Sequence, residues 1–346
     1  MVQSTPTSFM EMSGMKTRCE TWLSQGRMTW GCLGLWVSSV LCAPFAWAQA
    51  PANLPSRIEY HALASATTTG EEFLLGQKGK EVGLSGELRL PQGSRAKFPA
   101  VVLIHGSGGI GPAMDVWTHQ LNQAGFATFV VDSFTGRGIV STGADQTQLH
   151  SLSMTIDAYR ALDLLAKHPR VDADKIAVLG FSKGALGAIF SASTRFKSLH
   201  GSGRTFVAHL GLYTPCNTRF IGDTAVTGKP MRLWHGTTDD YVSVAPCRDY
   251  VKSLQAKGTD VKLTEYPDTQ HAFDNPLLPP KLANPVAQTT RDCHLIEEPR
   301  GRIINAKSKQ VFTDQDSCVA LGTHVGHNPD STRQTLQGVL EFLKSL

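Results

Sequence analysis

The five residues Gly180-Phe181-Ser182-Lys183-Gly184 set a serine between two glycines, after the apolar run Ile176-Ala177-Val178-Leu179 and before the small-residue stretch Ala185-Leu186-Gly187-Ala188. A buried strand that turns directly into a helix holds its middle residue in a strained backbone, and flanking glycines keep Cβ atoms out of the crowded turn. The serine hydroxyl then projects at a helix N-terminus, placed to attack an acyl carbon. The ordinary alternative is a serine that merely caps its helix.

A serine hydroxyl is a poor nucleophile until a base takes its proton, and the base needs an orienting carboxylate. Where a serine is presented in this way, the carboxylate follows in the chain and the histidine comes last. The strand-like Met231-Arg232-Leu233-Trp234 leads into His235-Gly236-Thr237-Thr238-Asp239-Asp240-Tyr241-Val242. Asp239 is the expected acid, with Asp240 as its neighbouring rival, and either would also suit an ordinary turn. The next candidate strand, Val261–Tyr266, ends in Pro267-Asp268-Thr269-Gln270-His271-Ala272-Phe273, which makes His271 the expected base.

Acyl transfer also needs donors for the developing oxyanion. The amide of Lys183 is one. The loop His105-Gly106-Ser107-Gly108-Gly109 offers the second, with Ser107 expected and Gly106 and Gly108 as alternatives. No G-K-[ST] follows that loop, which argues against a phosphate cradle. His105 is expected to hold the loop rather than to react.

These residues need a scaffold that brings strand ends together. Ala100–Ile104, Ala127–Val131 and Ile176–Leu179 are nearly continuous apolar runs rich in β-branched residues, the pattern of parallel strands covered on both faces. Phe206–Tyr213, Met231–Trp234 and Val261–Tyr266 continue the series, while Arg57–Pro91 carries alternating stretches suited to antiparallel strands. Leu149, Leu152, Ile156, Tyr159 and Leu162 recur at helical spacing up to His168-Pro169; further helices are expected at Ala245–Ala256 and around Leu336–Leu346. Such alternation predicts an α/β fold with right-handed crossovers and ligands at the carboxyl ends of the strands. Between His271 and the last helix, residues 274–328 contain Pro276, Pro279, Pro280, Pro285 and Pro299 and are too long for a bare connection. They are expected to form a cap beside the site, with Arg302–Ile304 and Gln310–Phe312 as a small hairpin.

The chain of 346 residues carries a formal charge of +4 with its basic residues scattered, so neither a nucleic-acid groove nor a polybasic membrane patch is indicated. A small-molecule partner and no cofactor or metal are expected. Lys16, Arg18 and Arg27 precede an apolar run over residues 28–47 that ends in small-x-small patterns, so residues 1–48 read as a secretory signal and 51–346 as the hydrolytic domain. A single membrane anchor is the alternative, weakened by Gly31, Gly34 and Pro44. Removal of residues 1–48 leaves four cysteines, Cys216, Cys247, Cys293 and Cys318, an even number that suits disulfides in a secreted or periplasmic protein without stable membrane insertion. Cys293-His294, Cys318, His324 and His327 also offer a zinc alternative.

Taken together, His105-Gly106-Ser107-Gly108-Gly109, Asp132-Ser133-Phe134-Thr135-Gly136-Arg137-Gly138, the Ser182 motif, Gly236-Thr237-Thr238-Asp239-Asp240 and Tyr266-Pro267 with His271-Ala272-Phe273 resemble the dienelactone hydrolase family of the α/β-hydrolase fold. The resemblance spans roughly residues 91–273 and the final helix. It implies a cofactor-free hydrolase of esters or lactones that works through an acyl-enzyme. Members that open dienelactone resemble one another in a cysteine nucleophile and an oxyanion-loop glutamate, where this chain has Ser182 and His105-Gly106. A peptidase or amidase on the same triad, and a non-catalytic binding protein of the same fold, remain as alternatives.

Overall fold

The computed structural model describes residues 55–346, so the expected signal segment lies outside the described residues. An antiparallel ribbon opens the fold, β1 (Arg57–Thr67) and β2 (Lys80–Leu90), with the short helix α1 (Gly70–Leu74) between them. The chain then alternates: β3 (Phe98–Ile104), α2 (Pro112–Gln123), β4 (Ala127–Asp132), α3 (Ser153–Leu165), β5 (Val171–Phe181) and α4 (Lys183–Phe190). Next come α5 (Thr194–His200), β6 (His209–Leu212), the two-residue β7 (Thr218–Arg219), β8 (Met231–Gly236), α6 (Ala245–Gln255) and β9 (Val261–Tyr266). Four short strands follow, β10 (Leu282–Thr289), β11 (Leu295–Glu298), β12 (Arg302–Asn305) and β13 (Ala320–Val325), before the closing helix α7 (Pro329–Lys344).

The main sheet runs β1-β2-β4-β3-β5-β6-β8-β9, parallel from β4 to β9, with antiparallel pairing between β1 and β2 and between β2 and β4. β3 shows why its sequence is an unbroken apolar run. Successive side chains point to opposite faces, and here both faces are covered. Ala100, Val102 and Ile104 pack with Met154, Ala158 and Leu162 of α3 on one side. Val101 and Leu103 pack with Trp117 of α2 and Val339 and Leu343 of α7 on the other. Each fully buried valine, leucine or isoleucine contributes about 1.5–3 kcal/mol. This is the α/β-hydrolase fold.

Residues 274–328 interrupt the α/β alternation. β10 pairs antiparallel with β13, with an irregularity between Asn284 and Gln288, the stretch that contains Pro285. β12 pairs mainly with β11 rather than with the stretch the sequence suggested. The expected hairpin is present only in part, through the Ile304–Val311 bridge and the Phe312 amide that donates to Ile303 O at 2.9 Å. β11 also runs parallel to β7, which ties the insertion to the segment after β6. Both cysteine pairs have their sulfurs at bonding distance, Cys216 with Cys247 and Cys293 with Cys318, so the zinc alternative has lost its sulfur ligands.

Candidate active site

Ser182 sits between β5 and α4 with φ 51° and ψ −120°, a conformation that costs free energy and persists only where the surroundings enforce it. The enforcement is visible at both glycines. A Cβ on Gly180 would lie 2.3 Å from Gly184 O, and one on Gly184 would lie 2.3 Å from His105 O and from Ile104 O. The elbow is therefore packed against the end of β3, and only glycine fits on either side of the serine. Although Ser182 occupies the N-cap position, its side chain makes no capping hydrogen bond. Its hydroxyl instead meets His271 Nε2 at 3.0 Å.

His271 follows β9, and its Nδ1 lies 2.7 Å from Asp239 Oδ2. The other oxygen, Asp239 Oδ1, accepts the amides of Tyr241 at 2.9 Å and Val242 at 2.8 Å. Burial pushes the Asp239 carboxyl upward, but His271 and His235 beside it outweigh that and hold it below the usual carboxylate range. It stays ionised. All three side chains are buried. Serine, imidazole and carboxylate thus form one continuous hydrogen-bonded line, drawn from the ends of β5, β8 and β9. Asp240, the sequence rival, points elsewhere, to His324.

The structure also brings the expected oxyanion residues to the serine. A Cβ on Gly106 would lie 3.1 Å from Ser182 Cβ, so the loop after β3 abuts Ser182. Lys183 is the first residue of α4, where a backbone amide has no intrahelical acceptor. His105 is fully buried; its Nε2 accepts the Ser133 amide at 3.1 Å and its Nδ1 lies 2.8 Å from Gly106 O. It holds the loop, as the sequence suggested.

Several residues around the site carry no local sequence signature. His271 lies between the rings of Tyr213 and Tyr241, at 4.5 and 4.8 Å between centroids. The Tyr213 hydroxyl and Trp117 Nε1 donate to the buried Asp274 at 2.8 and 2.7 Å. Gln146 stands between Ser107 Oγ, at 3.1 Å from its Nε2, and the Lys183 ammonium, which donates to its Oε1 at 2.9 Å and its backbone O at 3.1 Å. Burial lowers the Lys183 pKa to about 7. An acid following His271 and a lysine beside the serine are the only hints these residues leave in the sequence.

A cavity of about 630 Å³ opens on Ser182, walled by Ser107, Gln146 and Tyr241 on one side and by Leu295, Ile303 and Phe312 of the insertion on the other. Far from it, near the amino ends of the parallel strands, Glu59, His61 and His168 converge within 4.8 Å. Glu59 Oε2 meets the two rings at 3.0 and 3.2 Å, and His168 Nδ1 accepts the Arg170 amide at 3.2 Å, which leaves the ring proton on Nε2 facing Glu59. Those contacts satisfy the cluster as a hydrogen-bonded set.

The family model that matches this chain, over residues 84–292, is that of the dienelactone hydrolase family, and the match spans the elbow, the acid loop and the base loop. The chain belongs to the dienelactone hydrolase family. Among solved structures it resembles P91, a dienelactone hydrolase-like promiscuous phosphotriesterase from metagenomic libraries, with a TM-score of 0.56 and 16% identity over 84% of this chain and 98% of that one. It also resembles m3DLH, with a TM-score of 0.54 and 17% identity over 83% and 98%. At such identities the likeness shows the shared fold. No curated protein matches the sequence significantly. Within the family, this member has a serine at the elbow.

Proposed function

We propose that this dienelactone hydrolase family member is an exported serine hydrolase of carboxylic esters or lactones. The observation that carries the reading is the line Ser182–His271–Asp239, at 3.0 and 2.7 Å, opening on a cavity large enough for a small-molecule ester. Ser182 Oγ attacks the acyl carbon while His271 Nε2 takes its proton, and Asp239 stabilises the imidazolium and fixes its tautomer. The amides of Ser107 and Lys183 receive the oxyanion. As the tetrahedral intermediate collapses, His271 returns the proton to the departing alkoxide and an acyl-enzyme remains. Water then attacks under the same base, which releases the acid and restores Ser182. No step requires a cofactor.

The wall formed by residues 274–328 supports their reading as a cap that selects substrates. Two disulfides suit an oxidising compartment and favour export, with residues 1–48 as the signal. A graded series of p-nitrophenyl esters, run beside the matching amides, tests the reaction class. Turnover of short-chain esters with little amide cleavage is expected; amide cleavage at comparable kcat/KM would move the protein to the peptidase class.

A further inference from the structure

The acid and base loops leave neighbouring strands and touch directly at their bases, where the Thr237 amide donates to Tyr266 O at 2.9 Å and Gln270 Nε2 to Thr238 Oγ1 at 2.9 Å. Nearer the Asp239 and His271 side chains, the end of β13 braces both loops as well. His324 donates its backbone N–H to Asp240 Oδ1 at 2.7 Å, and its ring Nδ1 lies 2.7 Å from Asp240 Oδ2. The next residue, Val325, forms a parallel bridge with His271. Gly326 donates its amide to His271 O at 3.0 Å, and a Cβ there would lie 2.1 Å from Pro280 O, so the chain has no room to drift. Three consecutive residues therefore hold both loops. Two further contacts reinforce the acid side: Thr289 Oγ1 donates to Tyr241 O at 2.7 Å, and the Arg291 guanidinium spans Asp240 O and Gly322 O.

We propose that His324 is a positioning residue for the triad, and that the insertion acts through the His324–Asp240 pair to set the spacing of Asp239 and His271. The inference rests on the triad reading above. Asp240 is the covalent neighbour of Asp239, so whatever fixes its carboxylate also fixes the backbone that aims the Asp239 side chain. A displacement of about 1 Å in a general base costs on the order of 10²-fold in rate. A pair that only docked the insertion would lower stability when cut and leave turnover intact.

The test measures kcat, KM and the thermal midpoint on a small acetyl ester for the full mature chain and for His324→Ala, His324→Asn, Asp240→Asn and Ser182→Ala. In His324→Ala, kcat is expected to fall about 10- to 100-fold while KM stays within about threefold, because binding is not what changes. His324→Asn, whose amide N–H can take the place of the ring Nδ1–H, should recover most of that loss. Asp240→Asn combined with His324→Ala should fall no further than either alone, since both cut one contact. A normal kcat with only a lower midpoint, a raised KM with normal kcat, or a loss that asparagine fails to relieve each overturns the inference. If His324→Ala does not fold, Asp240→Asn decides, and a normal kcat there overturns it as well. Activity retained by Ser182→Ala would remove the triad and with it the inference; an inactive Ser182→Ala beside a fully active His324→Ala removes the inference alone.

Discussion

Lys183 shows how much one position beside Ser182 is asked to do. Its amide stands at the helix N-terminus, while its side chain lies buried against Gln146 with no carboxylate in ion-pair contact among the described residues. An exposed lysine titrates near 10.5, and burial lowers this one to about 7. Between those values the unfolded chain holds a proton that the folded chain has released, so stability rises with pH across the window. That contribution is complete above about 10.5 and is lost as pH falls through about 7. Lys183→Met should therefore flatten the climb of the thermal midpoint between pH 7 and 10. At pH 6 it should stabilise the protein by roughly 1–3 kcal/mol, because no charge is then buried short of partners. Thermal melts over that pH range check it, and an unchanged slope would show that the ammonium is solvated.

The site residues differ in how openly the sequence declares them. Ser182, Asp239 and His271 were legible because each stands just past a recognisable buried strand, in the order this fold imposes. Asp239 was preferred over Asp240 from the sequence although both suit a strand-end turn, and the loop's path turns Asp239 to His271 and Asp240 to His324. Tyr213, Tyr241, Gln146 and Asp274 were not legible. Tyr213 and Tyr241 come to His271, Gln146 to Ser107 and Lys183, and Asp274 to Tyr213 and Trp117 only after the chain has folded, and no local spacing marks them.

At the scale of elements, the sheet could be read because burial on both faces leaves continuous apolar runs, and β3, β4, β5, β6, β8 and β9 fall close to where those runs lie, whereas the two-residue β7 had no such run. The strand expected over Phe206–Tyr213 is shorter, His209–Leu212. The insertion was harder. β10 pairs with β13 across the intervening residues 290–319, and β12 takes β11 as its main partner, choices that neither periodicity nor proline content specifies. What local sequence cannot hold, the Cys293–Cys318 bond can. With a separation of 25 residues it should stabilise the segment by about 3–4 kcal/mol on the chain-entropy model. Cys293→Ser/Cys318→Ser is expected to open residues 300–309 to proteolysis and to shift preference among bulky esters. Because β13 holds both triad loops, a smaller fall in kcat on the acetyl ester should accompany it. Protease resistance equal to that of the parent would mean the strands hold the segment unaided.

For the whole molecule, one sheet performs two tasks. Its central strands form a core that fixes the carboxyl ends of β5, β8 and β9, and the insertion leaves from that same edge to wall the cavity and return beside the acid and base loops. Family membership and fold follow from the chain itself; the reaction rests on the serine. Labelling with a fluorophosphonate probe, followed by peptide mass spectrometry, tests this most directly. The account predicts a single modified residue, Ser182, no labelling of Ser182→Ala, and a loss of about 10⁴-fold or more in kcat for that variant, because the triad acts as a unit. Full labelling or undiminished ester turnover by Ser182→Ala would contradict it.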